Sequence, residues 1–250
     1  MVEIIPAIIP KKFSELEEKI SLISKLAPIV QVDVMDGVFV PEKSWPYGKV
    51  PDPDFTAILK EEKGFPFWED LDFEVDLMIA NPKEHWQDWF AAGARRVIVH
   101  FESIGTSVGD AASDMASGAV GGAVALLKVM KQSLPGSDSL LHTEVGLALN
   151  INTPNEKIYP LISELDFVQF MGIAKIGFQG QPFDERVLEK ISDLRGKYPN
   201  VTISVDGGVG LENAPRLIAA GANRLVVGSA IFESNDVGET LAEFQNLAAS

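Results

Sequence analysis

Cysteine is absent from this 250-residue chain. That excludes disulfides, thiolate metal ligands and a cysteine nucleophile. Histidine is scarce. His85, His100 and His142 are the only three, and no two have the spacing of a zinc-ligand pair. Basic residues are in deficit, 21 Lys and Arg against 36 Asp and Glu, a formal charge of −15. A nucleic-acid surface needs clustered Lys and Arg, so that partner is not expected. One phosphate group remains admissible, because backbone amides can bind it locally. No apolar run reaches the roughly 18–20 residues of a membrane helix. The opening MVEIIPAIIP lacks the basic stretch and the length of a secretion signal. The expectation is a cytoplasmic globular protein with no membrane partner.

What the chain does have is apolar sequence, 46% of it, in short runs separated by helical stretches. Strand-like runs fall at 4–9, 29–34, 73–79, 96–101, 144–150, 167–172, 202–206 and 224–228. Most are continuously apolar, as strands buried on both faces of a parallel sheet are. Between them lie helical patterns, including 82–92 starting at a proline, 184–195, 211–220 and 238–248. Thr153 reads as the cap of a helix opening at Pro154. Eight such units in about 250 residues favour a single α/β domain over 1–250, a (β/α)8 TIM barrel. Two segments, 44–71 and 103–142, are longer than a minimal barrel needs. Each follows a strand, so each is expected on the C-terminal face where barrel sites form, the first as a wall of the site or simply as an elaborated loop.

Polar residues interrupt the strands at particular places. Gln31 and Asp33 share one face of the second strand, Asp76 lies within the third, and Asp206 ends the seventh. Any one Asp–Gly could be a turn. Together they imply carboxylates converging on a barrel mouth, where repulsion demands a proton or a cation. Glycines form a second set: Gly177 and Gly180 after the sixth strand, Gly207 and Gly208 after the seventh, Gly228 with Ser229 after the eighth. Loops after the last barrel strands commonly hold phosphate. Met35, Met78 and Met171 also end strands, as core filler or as an apolar ceiling over a ligand. His100 ends the fourth strand and is a pocket candidate, whereas His85 and His142 read as surface residues.

The motifs VDVMDGVFVP at 32–41, VDLMI at 75–79, VHFE at 99–102, GFQGQ at 177–181, VDGGV at 205–209 and GSAIF at 228–232 resemble the ribulose-phosphate 3-epimerase family. The resemblance runs in order from residue 4 to about 233, outside the two long segments. It implies epimerisation at C3 of a ketopentose phosphate in carbohydrate metabolism, D-ribulose 5-phosphate to D-xylulose 5-phosphate. Asp33 and Asp206 would be the acid/base pair and the glycine loops the phosphate grip. The family's divalent metal would stabilise the enediolate. Its His, Asp, His, Asp ligand set corresponds here to Gln31, Asp33, Asp76 and Asp206. Such an all-oxygen set suits Mg, Mn or another hard cation rather than Zn, with a metal-free site as the alternative. A family serine near the end of the first strand is Ala7, and a loop glycine is Gln179. Two readings compete: a non-catalytic sugar-phosphate-binding barrel, and a barrel lyase or isomerase, for which Lys175 is the mouth lysine. The expected partner is a small-molecule sugar phosphate, with a homo-oligomer left open.

Overall fold

A computed structural model describes residues 2–104, 115–133 and 143–249, with residues 115–119 by backbone alone. Eight parallel strands close into a barrel: β1 (Glu3–Ile8), β2 (Ile29–Met35), β3 (Asp72–Met78), β4 (Arg96–His100), β5 (Glu144–Leu149), β6 (Phe167–Met171), β7 (Thr202–Asp206) and β8 (Arg224–Val227). Strand β8 pairs back onto β1, so the sheet of the described residues has no free edge. The predicted strands agree with these to within a residue at each end.

Side chains alternate along each strand. Val30, Val32 and Val34, like Val75, Leu77, Val97 and Val99, point outward into one large core beneath the helices. That core is completed by helical residues at the 3–4 spacing the sequence carries. On α1 (Phe13–Ile23) these are Phe13, Leu16, Ile20 and Ile23. The segment after β2 folds into α2 (Pro53–Leu59), capped by Asp52, whose carboxylate accepts from the Phe55 N–H at 3.0 Å. Trp45 of that segment sits outside the barrel among Phe13, Phe55 and Trp89, with ring centroids 5.3–5.9 Å apart. The rest of the outer layer is α3 (Trp86–Ala91), α4 (Met115–Ser133), α5 (Arg186–Lys197), α6 (Ala214–Ala220), α7 (Ser229–Phe232) and α8 (Val237–Ala249). None of the described helices is long and apolar enough to cross a membrane.

Three helix expectations are corrected. The 82–92 pattern breaks at His85 into a 3-10 turn, Pro82–Glu84, and α3, after Asn81 takes a left-handed conformation. Thr153 caps nothing. Its hydroxyl donates to Glu102 Oε1 at 2.5 Å, and the chain beyond it forms 3-10 structure, Asn155–Lys157 and Tyr159–Glu164. The 211–220 helix starts only at Ala214, because the Asn213 side chain ties the Gly210 N–H and the Gly208 carbonyl into a turn.

The barrel interior is layered. At the N-terminal end Arg96 meets Glu74 at 2.9 Å, Glu3 at 3.0 Å and Glu144 at 3.3 Å, and Arg224 meets Glu3 and Glu144. Ile29 and Phe167 lie beside these charges, the Arg224 guanidinium 4.7 Å from the Phe167 ring centroid, and Ile5 and Ile98 belong to the same two apolar clusters. Gly146 makes room for the Phe167 ring. A Cβ at Gly146 would stand 2.3 Å from Phe167 Cζ. The rigid ring has nowhere to go, so Gly146→Ala is expected to destabilise by about 2–3 kcal/mol and lower Tm by about 5–10 °C. A thermal melt checks this, and an unchanged Tm would show the layer to be loosely filled.

Candidate active site

The C-terminal end of the barrel carries the converging carboxylates. Asp33 and Asp76 are direct partners in the β2–β3 register, and Asp206 ends β7 opposite Met171. One carboxylate oxygen from each of Asp33, Asp76 and Asp206 lies within 4.8 Å of the others. All three are buried. Gln31, paired with Ala7 of β1, lies among them. Its Nε2 donates to Asp33 Oδ1 at 2.7 Å and to Asp206 Oδ2 at 3.0 Å, while its Oε1 is buried with no partner.

Burial raises both Asp33 and Asp206, and neighbouring carboxylates add to it. Asp33 is held well above the ordinary carboxylate range by burial, then by Asp206 and Asp76. Asp206 is pushed up to about 7 by burial and by Asp76. Such a pair shares its protons, so one member can stand protonated while the other is an anion.

Asp76 is held differently. His100 Nε2 lies 3.0 Å from its Oδ1, and Gln169 donates to its Oδ2 at 3.2 Å. Ser204 in turn donates to Gln169 Oε1. Burial opposes a charge on His100, but Asp76 outweighs it, and with Glu102 behind the ring the imidazole is raised above its ordinary value. His100 therefore faces the carboxylate cluster from within the barrel rather than the open cavity. Gln169 and Ser204 are the site residues the motifs did not single out. The signal was a polar residue inside an apolar run, FVQFM and TISVD.

The backbone around Asp33 is pinned from outside. Ser44 Oγ accepts from the Met35 N–H at 2.9 Å and lies 3.1 Å from the Asp33 carbonyl. Asp36 binds the Val38 and Ala80 amides, tying the loop after β2 to the loop after β3.

Asp33 and Asp206 open into a cavity floored by Ala7, Met78, Met171 and Val226. Its rim is Gly177–Gln181, Gly207–Val209 and Gly228 with Ser229, so all six predicted loop positions are gathered there. Gly177, Gly180, Gly207 and Gly208 have φ of 86°, 67°, 95° and 68°, a conformation side-chain-bearing residues rarely adopt. Met35 lies behind the rim, its Sδ 3.1 Å from where a Gly177 Cβ would be. Lys175 stands exposed outside the cavity lining. The 44–71 segment contributes no lining residue: Trp45, Phe55 and Phe65 pack into the outer core, and Phe67 and Trp68 are exposed. His85 packs edge-on against Tyr47, while His142, with 105–114 and 134–141 of the 103–142 segment, lies outside the described residues.

Comparison with known proteins agrees with this geometry. The profile of the Ribulose-phosphate 3 epimerase family matches residues 3–128 and 141–232. A chloroplastic ribulose-5-phosphate-3-epimerase of Arabidopsis thaliana is 34% identical over 94% of this chain and 73% of its own length. The ribulose-phosphate 3-epimerase of Bacillus subtilis is 31% identical over 98% of this chain and 99% of its own. Among solved structures, 3-keto-L-gulonate-6-phosphate decarboxylase from Vibrio cholerae superposes with a TM-score of 0.66 at 13% identity, covering 100% of this chain and 98% of its own. That last likeness is one of fold.

Proposed function

The chain belongs to the ribulose-phosphate 3-epimerase family, and from that premise we propose that it interconverts D-ribulose 5-phosphate and D-xylulose 5-phosphate, with Asp33 and Asp206 as the acid/base pair. The observation that carries the reading is two buried carboxylates entering one cavity from β2 and β7, both raised toward neutrality. One carboxylate takes the proton from C3. The C3–H electron pair becomes the C2–C3 double bond and the C2 carbonyl oxygen becomes the enolate oxygen. The other carboxyl returns a proton from the opposite face, and the reverse reaction exchanges the roles. Gln31, bonded to both, keeps the two groups in register. Met78 and Met171, with Met35 behind them, give an apolar wall that keeps water from the enediolate. The phosphate lies on the glycine rim, on the backbone amides of Gly177, Gly180, Gly207, Gly208 and Gly228 and on the Ser229 hydroxyl. The whole chain acts as one barrel domain, and the cytoplasm is its compartment in this proposal.

A divalent cation fits the same cluster. Three crowded carboxylates are oxygen donors, and Gln31 completes an all-oxygen set when its amide turns over, exchanging its Nε2 bonds to Asp33 and Asp206 for the buried, unpartnered Oε1. Gln31, Asp33, Asp76 and Asp206 would hold it, and the set favours Mg2+ or Mn2+ over Zn2+. When bound it supplies Lewis-acid stabilisation of the enediolate charge.

The test is solvent exchange. The purified protein, with ribulose 5-phosphate in deuterium oxide, should place deuterium at C3 of both epimers, followed by NMR with and without chelator and with each metal restored. Absence of exchange under every metal sinks the proposal. Saturable binding without exchange would leave the non-catalytic barrel in its place.

A further inference from the structure

The cavity is expected to take a phosphate ester, yet the charged side chains on its lining are Asp33 and Asp206, both acids. Among the described residues no Lys or Arg lines it, and Lys175 stands outside. A phosphate must therefore be held by neutral donors. Beyond backbone amides, the described lining offers three such side chains: Ser229, Gln181 and Gln179.

Gln179 is placed unlike the other two. It sits between two left-handed residues of the loop after β6, Gly177 and Gly180, and reaches across the cavity to the junction of β8 and β1. Its Nε2 lies 3.4 Å from the point where a Cβ on Gly228 would stand, and the Ala7 carbonyl oxygen is equally far from that point. The amide thus lies against the Gly228 backbone, and Ala7 presents only a methyl group, 4.0 Å from the same point. Gly228 has φ −95° and ψ −97°, a backbone conformation that is neither helical nor extended. What the missing Cβ does is leave the cavity open beside the Gln179 amide. Among the described residues that amide makes no hydrogen bond. A half-buried donor without an intramolecular partner, aimed across a neutral anion cradle, is a donor available to a ligand.

We propose that Gln179 is a substrate-binding residue whose side-chain amide donates to the phosphate group from the side of Ala7 and Gly228, and that it sets selectivity at that end of the cavity. This rests on the reading that the glycine rim holds the phosphate. The amide adds a donor without adding charge. A lysine there would instead be drawn to Asp33 and Asp206 and would disturb the protons they share.

The test uses three forms of the full chain, wild type, Gln179→Met and Gln179→Glu, and two readouts. The first is binding of inorganic phosphate and of ribulose 5-phosphate, by calorimetry, which needs no turnover. The second is the split between kcat and KM. Methionine keeps the length and removes the donor. Gln179→Met should weaken both ligands by about 10- to 100-fold, the range of one hydrogen bond to a charged group, and raise KM with kcat nearly unchanged. Gln179→Glu, which sets a carboxylate against the phosphate, should weaken both further. Equal phosphate binding by wild type and Gln179→Met overturns the proposal. So does a fall in kcat at constant KM, which would mark Gln179 as a loop-packing residue. If the wild type binds both ligands but exchanges no proton, the epimerase reading fails while the binding comparison still decides the role of Gln179.

Discussion

Asp206→Asn should cost about 10³- to 10⁴-fold in C3 proton exchange while leaving the fold more stable, the first figure being the upper part of the range for one positioned acid/base group. The substitution is isosteric. The introduced amide still offers a carbonyl to Gln31 Nε2, which now bonds Asp206 at 3.0 Å, so the cavity keeps its shape. What is lost is a group able to carry a proton at a neutral operating pH. What is relieved is repulsion, because Asp206 is raised to about 7 by burial first and by Asp76 second. The sign comes from that rise. A carboxyl whose folded pKa exceeds its unfolded value opposes folding once it must ionise. In chelated protein the Asp206→Asn gain should therefore be near zero below pH 4, grow between about pH 4 and 7, and level off above. Exchange rates and chelated Tm values measured across this range check both halves. A variant that loses activity and stability together would assign Asp206 a structural role instead.

The strands were legible because both faces of each are covered, so the runs stay apolar, and residues that break them stand out. Gln31, Asp33, Asp76 and Asp206 are such breaks, and the structure brings all four within reach of one another. Gln169 carries the same mark inside FVQFM, but its partner Asp76 is 93 residues away. A one-dimensional pattern shows that a buried polar group needs a partner without saying which. The helix starts were misplaced for a related reason. Asn213 and Thr153 commit their side chains to contacts outside the helix-cap role, Asn213 to a local turn and Thr153 to Glu102 across the barrel top. The 44–71 segment was open to two readings, a wall of the site or an elaborated loop, and the second agrees with the structure. Its position after a strand pointed to the mouth, yet Trp45 and Phe55 find a larger apolar surface against Trp89 and Phe13 on the outside of the barrel. Sequence order gives the side of the sheet at which a loop leaves, and burial decides where its side chains end.

The largest effect on stability should come from the opposite end of the barrel. Arg96→Leu is expected to cost about 3–5 kcal/mol, the range for removing one partner of a buried ion pair. The Arg96 side chain is 12% exposed and serves three acids at once, Glu3, Glu74 and Glu144. Leucine would leave Arg224 to balance Glu3 and Glu144, and Arg224 makes no ion pair with Glu74 among the described residues. Glu74, almost wholly buried, would then keep only the more distant attraction of Arg224. It already sits at about 6, raised by burial and only partly brought back by Arg96. Without Arg96 it should rise further and fold as the neutral acid. Because the folded pKa lies above the unfolded one, the penalty is small at low pH and increases until pH exceeds the new folded value. Urea unfolding of Arg96→Leu should therefore show a deficit that is modest near pH 5 and largest near pH 8. Removing the orphaned charge is the internal control. Arg96→Leu with Glu74→Leu should recover much of the loss, since an apolar pair can replace a buried ionic one at little cost. Glu74 also reaches the site: it is the register partner of Gln31, and its charge adds to the repulsion that raises Asp33 and Asp206. The double variant that regains stability should therefore regain C3 exchange as well, with its pH profile moved to lower pH. If stability returns and the profile does not move, Glu74 has no influence on the acid/base pair.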